Sequence, residues 1–217
     1  MDRVIIARTN MQGKSTGDAS LDGNMPKLEI LLEQVRLGKI HVLCICETKL
    51  SNKHLEALTS LIKHSKLAHR MTYTDQRSTM GVLIVWNDVG FPFQVKRTWI
   101  DGEDKRAVSI ELQGGKGIKL TLTCGYFENI AAGEDKQTNV YNFLARGIPK
   151  QPHDPKQMFT EIGDKNCVIN PTNQRCQIGI ERKEPNTKLL EFMAAFNLTE
   201  PIMAQPPRRK NLHKGLA

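Results

Sequence analysis

The chain has 217 residues, of which 39% are hydrophobic and 25% are charged, and it contains five cysteines. This length allows one domain with a substantial core, and the composition excludes disorder-dominated and membrane-spanning proteins. An odd cysteine count without paired CxxC spacing argues against a disulfide framework and against a zinc site. Residues 1–8 hold too short an apolar run for a signal peptide, so we expect an intracellular protein that is not secreted and has no membrane partner.

The charge balance is basic, with 31 lysine and arginine residues against 23 aspartate and glutamate residues and a formal net charge of +8. Such an excess favours polyanionic partners, meaning nucleic acid or phosphorylated lipid. The sequence does not place these charges on one face, so charge alone does not choose between the two partners.

The first half of the chain alternates predicted strands with predicted helices. Residues 4–8 are predicted to form a strand, and the apolar spacing over residues 25–37 predicts an amphipathic helix. The apolar run over residues 40–46 predicts a buried strand with Glu47 at its carboxyl end. A second amphipathic helix is predicted to follow Ser51. This order is typical of an α/β fold.

From Met71 onward the pattern changes to short strands separated by turn residues, which is typical of an antiparallel meander. The predicted strands cover residues 71–74, 81–86, 93–98, 107–112 and 118–124. A helix is predicted over 134–147, an apolar strand ends in Gly163-Asp164, and a last amphipathic helix lies within 186–199. The alternating spacing of Cys44 and Cys46 predicts two core thiols on one strand face.

Polar residues fall at or just beyond several predicted strand ends, which is where α/β proteins place their chemistry. Taken singly, each has an ordinary explanation as a turn residue, a solvent-facing strand end or a buried structural side chain. The residues are Asn10, Glu47, Tyr126, Asp164 and Asn166.

The sequence around these residues resembles the motifs of the endonuclease/exonuclease/phosphatase superfamily, in the family's order. Residues 44–50 resemble its metal-binding glutamate motif, and Thr9 to Gly13 resembles its first motif. Tyr126 stands where the family has a tyrosine-containing motif at the end of a strand, and residues 163–166 resemble its Gly-Asp-x-Asn signature. In the sequences of these motifs, the chain is most similar to the endonuclease domain of LINE-type, non-LTR retrotransposons.

The resemblance implies a single domain over residues 1–217 with the DNase I-like architecture. This is a four-layer α/β sandwich in which two mixed, mainly antiparallel sheets pack face to face with helices outside. It also implies further strands and a terminal Ser-Asp-His motif, which this chain lacks, so we expect a C-terminally truncated domain.

The resemblance assigns a role to each polar residue. Glu47, with Asn10 nearby, would hold Mg²⁺, for which Mn²⁺ could substitute. Asp164 would orient or deprotonate the attacking water, while Asn166 and Tyr126 would hold phosphate oxygens. The implied reaction is phosphodiester hydrolysis that nicks one strand of duplex DNA, bound through its backbone, with a nuclear site of action. A retroelement context also implies a downstream reverse transcriptase domain in a longer polyprotein.

Two alternatives stay open. Phe127-Glu128 and Lys165 depart from the family pattern, and no residue stands in the place of the family's C-terminal histidine. The chain could therefore be a truncated or degenerate, catalytically inactive domain that only binds nucleic acid. The superfamily also includes phosphatases, and a fold does not decide between such activities.

Overall fold

A computed structural model of the protein describes residues 4–10, 25–46, 48, 52–72, 81–89, 91–101, 105–126, 134–148, 154, 156–164 and 187–196. The strands are β1 (Ile6–Asn10), β2 (Val42–Cys46), β3 (Ala68–Met71), β4 (Val82–Trp86), β5 (Gln94–Ile100), β6 (Ala107–Gln113), β7 (Lys119–Tyr126) and β8 (Gln157–Asp164). The helices are α1 (Met25–Arg36), α2 (Asn52–His64), α3 (Glu134–Gly147) and α4 (Thr187–Ala195). Over the described ranges, no helix is long and apolar enough to cross a membrane.

The strands form two four-stranded sheets with the orders β1-β2-β4-β3 and β5-β6-β7-β8. The pairs β1–β2 and β7–β8 are parallel, and the other neighbouring pairs are antiparallel. Parallel neighbours need a crossover, which α1 supplies between β1 and β2 and α3 supplies between β7 and β8. Both sheets are therefore mixed and mainly antiparallel, as predicted.

The two sheets pack face to face through alternate residues of their central strands. The first sheet contributes Val42, Cys44, Cys46, Val82, Ile84 and Trp86, and the second contributes Val108, Ile110, Leu112, Leu120, Leu122 and Cys124. The predicted burial of Cys44 and Cys46 in the core is confirmed.

Helices cover the outer face of each sheet. The apolar stripes of α1 and α2, including Leu28, Leu32 and Ile62, pack on residues of β2 and β4. On the second sheet, α3 and α4 pack together and on the sheet through Leu144, Phe192 and neighbouring side chains. Strands β2 and β4 are buried along their whole length because both of their faces are covered.

Two strands lie away from their predicted positions. Strand β1 covers residues 6–10 instead of the predicted 4–8. Its parallel partner β2 covers Val42 to Cys46, and the ladder pairs Ile6 with Val42 and Asn10 with Cys46. Strand β3 covers residues 68–71 and so begins three residues before the predicted strand 71–74, of which residues 73–74 lie outside the described ranges. Lys66 takes a left-handed conformation (φ 55°) and turns the chain into this strand directly after α2. The predicted meander is also divided between the two sheets, with β3 and β4 in the first and β5 to β7 in the second.

Candidate active site

Four strands bring their carboxyl ends to one end of the sandwich. Asn10, the last residue of β1, is the register partner of Cys46, the last residue of β2. Tyr126, the last residue of β7, is the register partner of Asp164, the last residue of β8. We name the region of these four positions the site end. The parallel pairing therefore places Asn10 beside the residue that precedes Glu47, and Tyr126 beside Asp164.

Contacts between the sheets join the two couples. The sulfur atoms of Cys46 and Cys124 are 3.6 Å apart, and Cys46 Sγ lies 3.5 Å from the carbonyl oxygen of Gly125. Burial raises the pKa of the Cys124 thiol well above its usual range, so this thiol stays protonated and can act as a weak donor. The residues just before Glu47 and Tyr126 thus touch across the interface between the sheets.

Asn10 contributes an enclosed oxygen atom to the site end. Its side chain is partly buried, and the amide oxygen Oδ1 is shielded from solvent. An amide oxygen is a hard donor of the kind that Mg²⁺ accepts. The position of Asn10 at the very end of β1, and not in the following loop, puts this oxygen beside the end of β2.

Glu47 itself lies outside the described residues, but both of its neighbours are fixed. Cys46 pairs with Val82 in β4, and the backbone N–H of Thr48 donates a hydrogen bond to the carbonyl oxygen of Gly81 at 3.1 Å. The hydroxyl of Thr72, just after β3, accepts a hydrogen bond from the N–H of Val82 at 2.9 Å. The ends of β2 and β3 and the start of β4 therefore meet at this point.

Tyr126 lies beside a buried arginine that sequence reasoning missed. Arg106 is 1% exposed, and its guanidinium carbon lies 6.0 Å from the centroid of the Tyr126 ring. Its carbonyl oxygen accepts the N–H of Tyr126 at 2.9 Å, and its own N–H donates to the carboxylate of Asp101 at 3.3 Å. This buried cation adds positive potential next to the proposed phosphate-binding tyrosine.

The sequence offered little signal for Arg106. It precedes an apolar strand and follows Lys105 and a run of polar residues, which is also the pattern of a solvated turn. Its burial depends on contacts with Tyr126 and Asp101, and the first of these is distant in the sequence.

Gly163 and Asp164 end β8, and the glycine has a clear packing reason. A side chain at Gly163 would collide with the carbonyl group of Gly125 on β7 and with a carboxylate oxygen of Glu161. The backbone of Asp164 pairs with Tyr126. The side chain of Asp164 and the whole of Asn166 lie outside what the structure describes, as do Phe127-Glu128 and Lys165.

The residues at this end fit a hard divalent cation. The described ranges contain no cluster of three histidine, cysteine or acidic residues. Mg²⁺ does not need one, because it is usually held by one or two carboxylates and keeps several water ligands. The buried oxygen of Asn10 lies beside the strand end after which the sequence places Glu47, and a donor set of amide and carboxylate oxygens is the kind that Mg²⁺ prefers.

No family model matches this chain, and no curated protein matches it. Solved structures do match. The AP endonuclease LMAP from Leishmania major superposes with a TM-score of 0.65 at 15% identity, covering 88% of this chain and 66% of its own. ANGEL2, a 2',3'-cyclic phosphatase, superposes with a TM-score of 0.52 at 13% identity, covering 76% of this chain and 53% of its own.

An endonuclease/exonuclease/phosphatase family protein from Bacteroides thetaiotaomicron superposes with a TM-score of 0.51 at 11% identity, covering 76% of this chain and 64% of its own. The chain has the DNase I-like fold of these structures. The predicted α/β sandwich is therefore confirmed. The chain spans about two thirds or less of each of the three. At these identities the similarity establishes the fold, while activity has to be argued from the site.

Proposed function

We propose that this chain is a Mg²⁺-dependent phosphodiester hydrolase that nicks duplex DNA. The observation that carries the proposal is the convergence of four strand ends, which bear or directly precede Asn10, Glu47, Tyr126 and Asp164, at one end of the sandwich. The same fold is found in an AP endonuclease. The spatial grouping of residues from four separate parts of the chain favours a shared site over a set of unrelated turns.

Each residue has a role that suits its chemistry. Glu47 and Asn10 would hold the cation through oxygen atoms, and Mn²⁺ could replace Mg²⁺ there. Asp164 would orient or deprotonate a water molecule. Tyr126 and Asn166 would donate hydrogen bonds to the phosphate oxygens. When bound, the cation would neutralise charge that builds up on the phosphate and on the leaving oxygen.

The basic composition supports a nucleic-acid substrate. A net charge of +8 favours backbone contacts with duplex DNA, whose binding should weaken steeply as salt rises. The motif sequences resemble those of retroelement endonucleases, so we propose further that the chain is the endonuclease domain of a retroelement. Such a domain would act in the nucleus and would be followed by a reverse transcriptase in a longer polyprotein.

Two other functions are kept as candidates. A phosphatase activity is favoured by the shared fold with ANGEL2, a 2',3'-cyclic phosphatase. A catalytically inactive DNA-binding domain is favoured by the departures at Phe127-Glu128 and Lys165 from the family's motifs. Small phosphoesters should compete with DNA for a phosphatase site, whereas duplex DNA should be displaced mainly by salt from a nuclease or a binding domain.

The deciding experiment follows conversion of supercoiled plasmid to nicked circles by the purified chain with Mg²⁺. We expect nicking that disappears with EDTA and falls by a factor on the order of 10² or more in Glu47→Ala, because an electrostatic stabiliser at the phosphate is lost. Glu33→Ala is the matched control. Glu33 lies on the exposed side of α1, where its carboxylate pairs with Arg36 at 2.6 Å.

The outcomes separate the candidates. Equal nicking by the wild type and by Glu47→Ala would contradict the assigned metal ligand. No nicking by a folded wild-type chain that still binds DNA in a salt-dependent way would favour the inactive binding domain.

A further inference from the structure

We propose that Thr48 is a positioning residue whose buried hydroxyl donates a hydrogen bond to an oxygen atom in the ligand shell of a divalent cation at the site end. The inference rests on the proposed function, since it concerns the residue next to the proposed metal ligand Glu47. It assigns a role to a side chain that would otherwise be a buried threonine at a strand end.

Thr48 is held in place by its backbone. Its N–H donates to the carbonyl oxygen of Gly81 at 3.1 Å, and the residue is 7% exposed. Two positions earlier in the chain, Cys46 pairs with Val82. The end of β2 is thus fastened to the start of β4 on both sides of position 47, so a change at Thr48 acts directly on the segment that carries Glu47.

The hydroxyl of Thr48 occupies the space that a side chain on Gly81 would need. An added Cβ at Gly81 would collide with Thr48 Oγ1 and would lie 3.4 Å from the carbonyl oxygen of Thr72. Gly81 also has a positive φ of 157°. The glycine therefore leaves room for this hydroxyl, which a side chain at position 81 would displace.

Within the part of the chain that the structure describes, Thr48 Oγ1 is buried without a hydrogen-bond partner. A buried hydroxyl without a partner is unfavourable, and a valine would fill almost the same volume without that cost. Thr72 is the useful contrast, because it is 2% exposed and its hydroxyl accepts the N–H of Val82 at 2.9 Å. Of these two buried threonines, Thr72 has a hydroxyl that is hydrogen-bonded within the fold, whereas Thr48 has a hydroxyl that is able to donate to a ligand.

A donor next to a metal ligand has a known use. Hydrogen bonds from surrounding side chains orient metal-ligating groups, and their loss typically lowers metal affinity by about 10-fold to 100-fold. A divalent cation with oxygen ligands would bring acceptor atoms to the site end. The hydroxyl of Thr48 would then gain its partner when the cation binds.

The test compares Mn²⁺ and Mg²⁺ affinities of the full chain by calorimetric titration for the wild type, Thr48→Val and Thr48→Ser. We expect Thr48→Val to bind the cation about 10-fold more weakly and Thr48→Ser to stay close to the wild type, because serine keeps the hydroxyl. Without metal, Thr48→Val should unfold at the same temperature as the wild type or higher. With metal, it should lose most of the cation-induced rise in unfolding temperature.

Thr72→Val is the matched control. It removes a partnered hydroxyl from a neighbouring buried threonine, so the unfolding temperature should fall by about 2–4 °C while the metal affinity stays unchanged. A merely structural role for Thr48 predicts that Thr48→Val, like Thr72→Val, leaves the metal affinity unchanged.

The outcomes distinguish this inference from the proposed function. Metal binding by the wild type with unchanged affinity in Thr48→Val overturns the role of Thr48 and leaves the hydrolase proposal standing. Absence of any metal binding by the wild type overturns both. Equal losses in Thr48→Val and Thr48→Ser would show that a retained hydroxyl does not preserve the metal affinity, and they would also overturn the inference. If Thr48→Val does not fold, the comparison of Thr48→Ser with Thr48→Ala decides in the same way.

Discussion

The two sheets hold their strand ends at the site end by different contacts. In the first sheet, the N–H of Thr48 donates to the carbonyl oxygen of Gly81, while Thr72 and Val82 exchange two hydrogen bonds, one of them to the Thr72 hydroxyl. In the second sheet, the backbones of Gly125 and Gly163 touch directly, and the buried Arg106 lies against Tyr126. Side chains can adjust by rotation, whereas backbone groups in a ladder cannot. The second sheet should therefore tolerate less change at this end than the first.

The largest effect is expected from Gly163→Ala. The new methyl group would meet the carbonyl group of Gly125, a backbone group fixed by the β6–β7–β8 ladder. We expect a loss of about 3 kcal/mol in the free energy of unfolding, the upper range for added atoms in a packed interior. Urea denaturation followed by circular dichroism measures this loss.

Two other glycines set the scale for that result. Gly81→Ala should cost less, about 2 kcal/mol, because its nearest obstacle is a side-chain atom, the hydroxyl of Thr48, although the positive φ of Gly81 adds to the loss. Gly115→Ala should leave the stability almost unchanged, since nothing lies within 4 Å of the added atom. A smaller loss in Gly163→Ala than in Gly81→Ala would refute the contrast between the two sheets.

The next largest effect is expected from Arg106→Ala. This change empties the space of a fully buried side chain beside Tyr126, and truncations of this size in an interior cost about 2 kcal/mol or more. It should also weaken DNA binding by removing a positive charge near the proposed phosphate site. Denaturation and salt-dependent DNA titration measure the two effects.

Arg97→Ala is the matched arginine control on the same sheet. Arg97 is exposed, pairs with Glu111 at 2.9 Å and lies 5.1 Å from the centroid of the Trp99 ring. Exposed ion pairs contribute about 0–1 kcal/mol, so its loss should be well below that of Arg106→Ala. Equal losses at the two positions would show that burial of Arg106 has no energetic weight.

The smallest effect is a pH dependence that arises in the first sheet. Burial, together with the charges of Lys63 and Arg70, lowers the pKa of His69 on β3 below its ordinary value of 6.5. The unfolded chain therefore binds a proton at His69 more readily than the folded chain. The contribution of neutral His69 to stability is present above about pH 6.5 and is lost as the pH falls below that value.

Unfolding curves of the wild type and His69→Gln between pH 8 and pH 5 would test this dependence. We expect the wild type to lose slightly more stability than the variant over that interval, because glutamine does not titrate. Parallel pH profiles would exclude His69 as the source of the dependence.

Local patterns predicted much of this architecture. The spacing of apolar residues indicated α1, α2 and α3, and the run before Glu47 indicated a buried strand, as observed. The order in which strands pair could not be read in this way, because the apolar residues of β4 and β5 indicate strands but do not tell which sheet each strand joins. The change of sheet between these two strands was missed for that reason.

The site shows the same limit. Strand-end positions predicted that Asn10, Tyr126 and Asp164 would gather, and their backbones do lie at one end of the sandwich. Arg106 and the contact between Thr48 and Gly81 were not predicted, since each depends on a distance between separate segments of the chain. The roles assigned to Asn10, Glu47, Tyr126, Asp164 and Asn166 all stay predictions.

The contact between Cys46 and Cys124 makes it possible to measure how often the two sheets separate. Both thiols are fully buried where the sheets meet, behind the site end, and burial keeps the Cys124 thiol protonated. An alkylating reagent can reach them only when the sheets separate, so their labelling rate, read by peptide mapping, would time that separation. A bound cation or DNA that clamps the strand ends together should slow the labelling of these two cysteines.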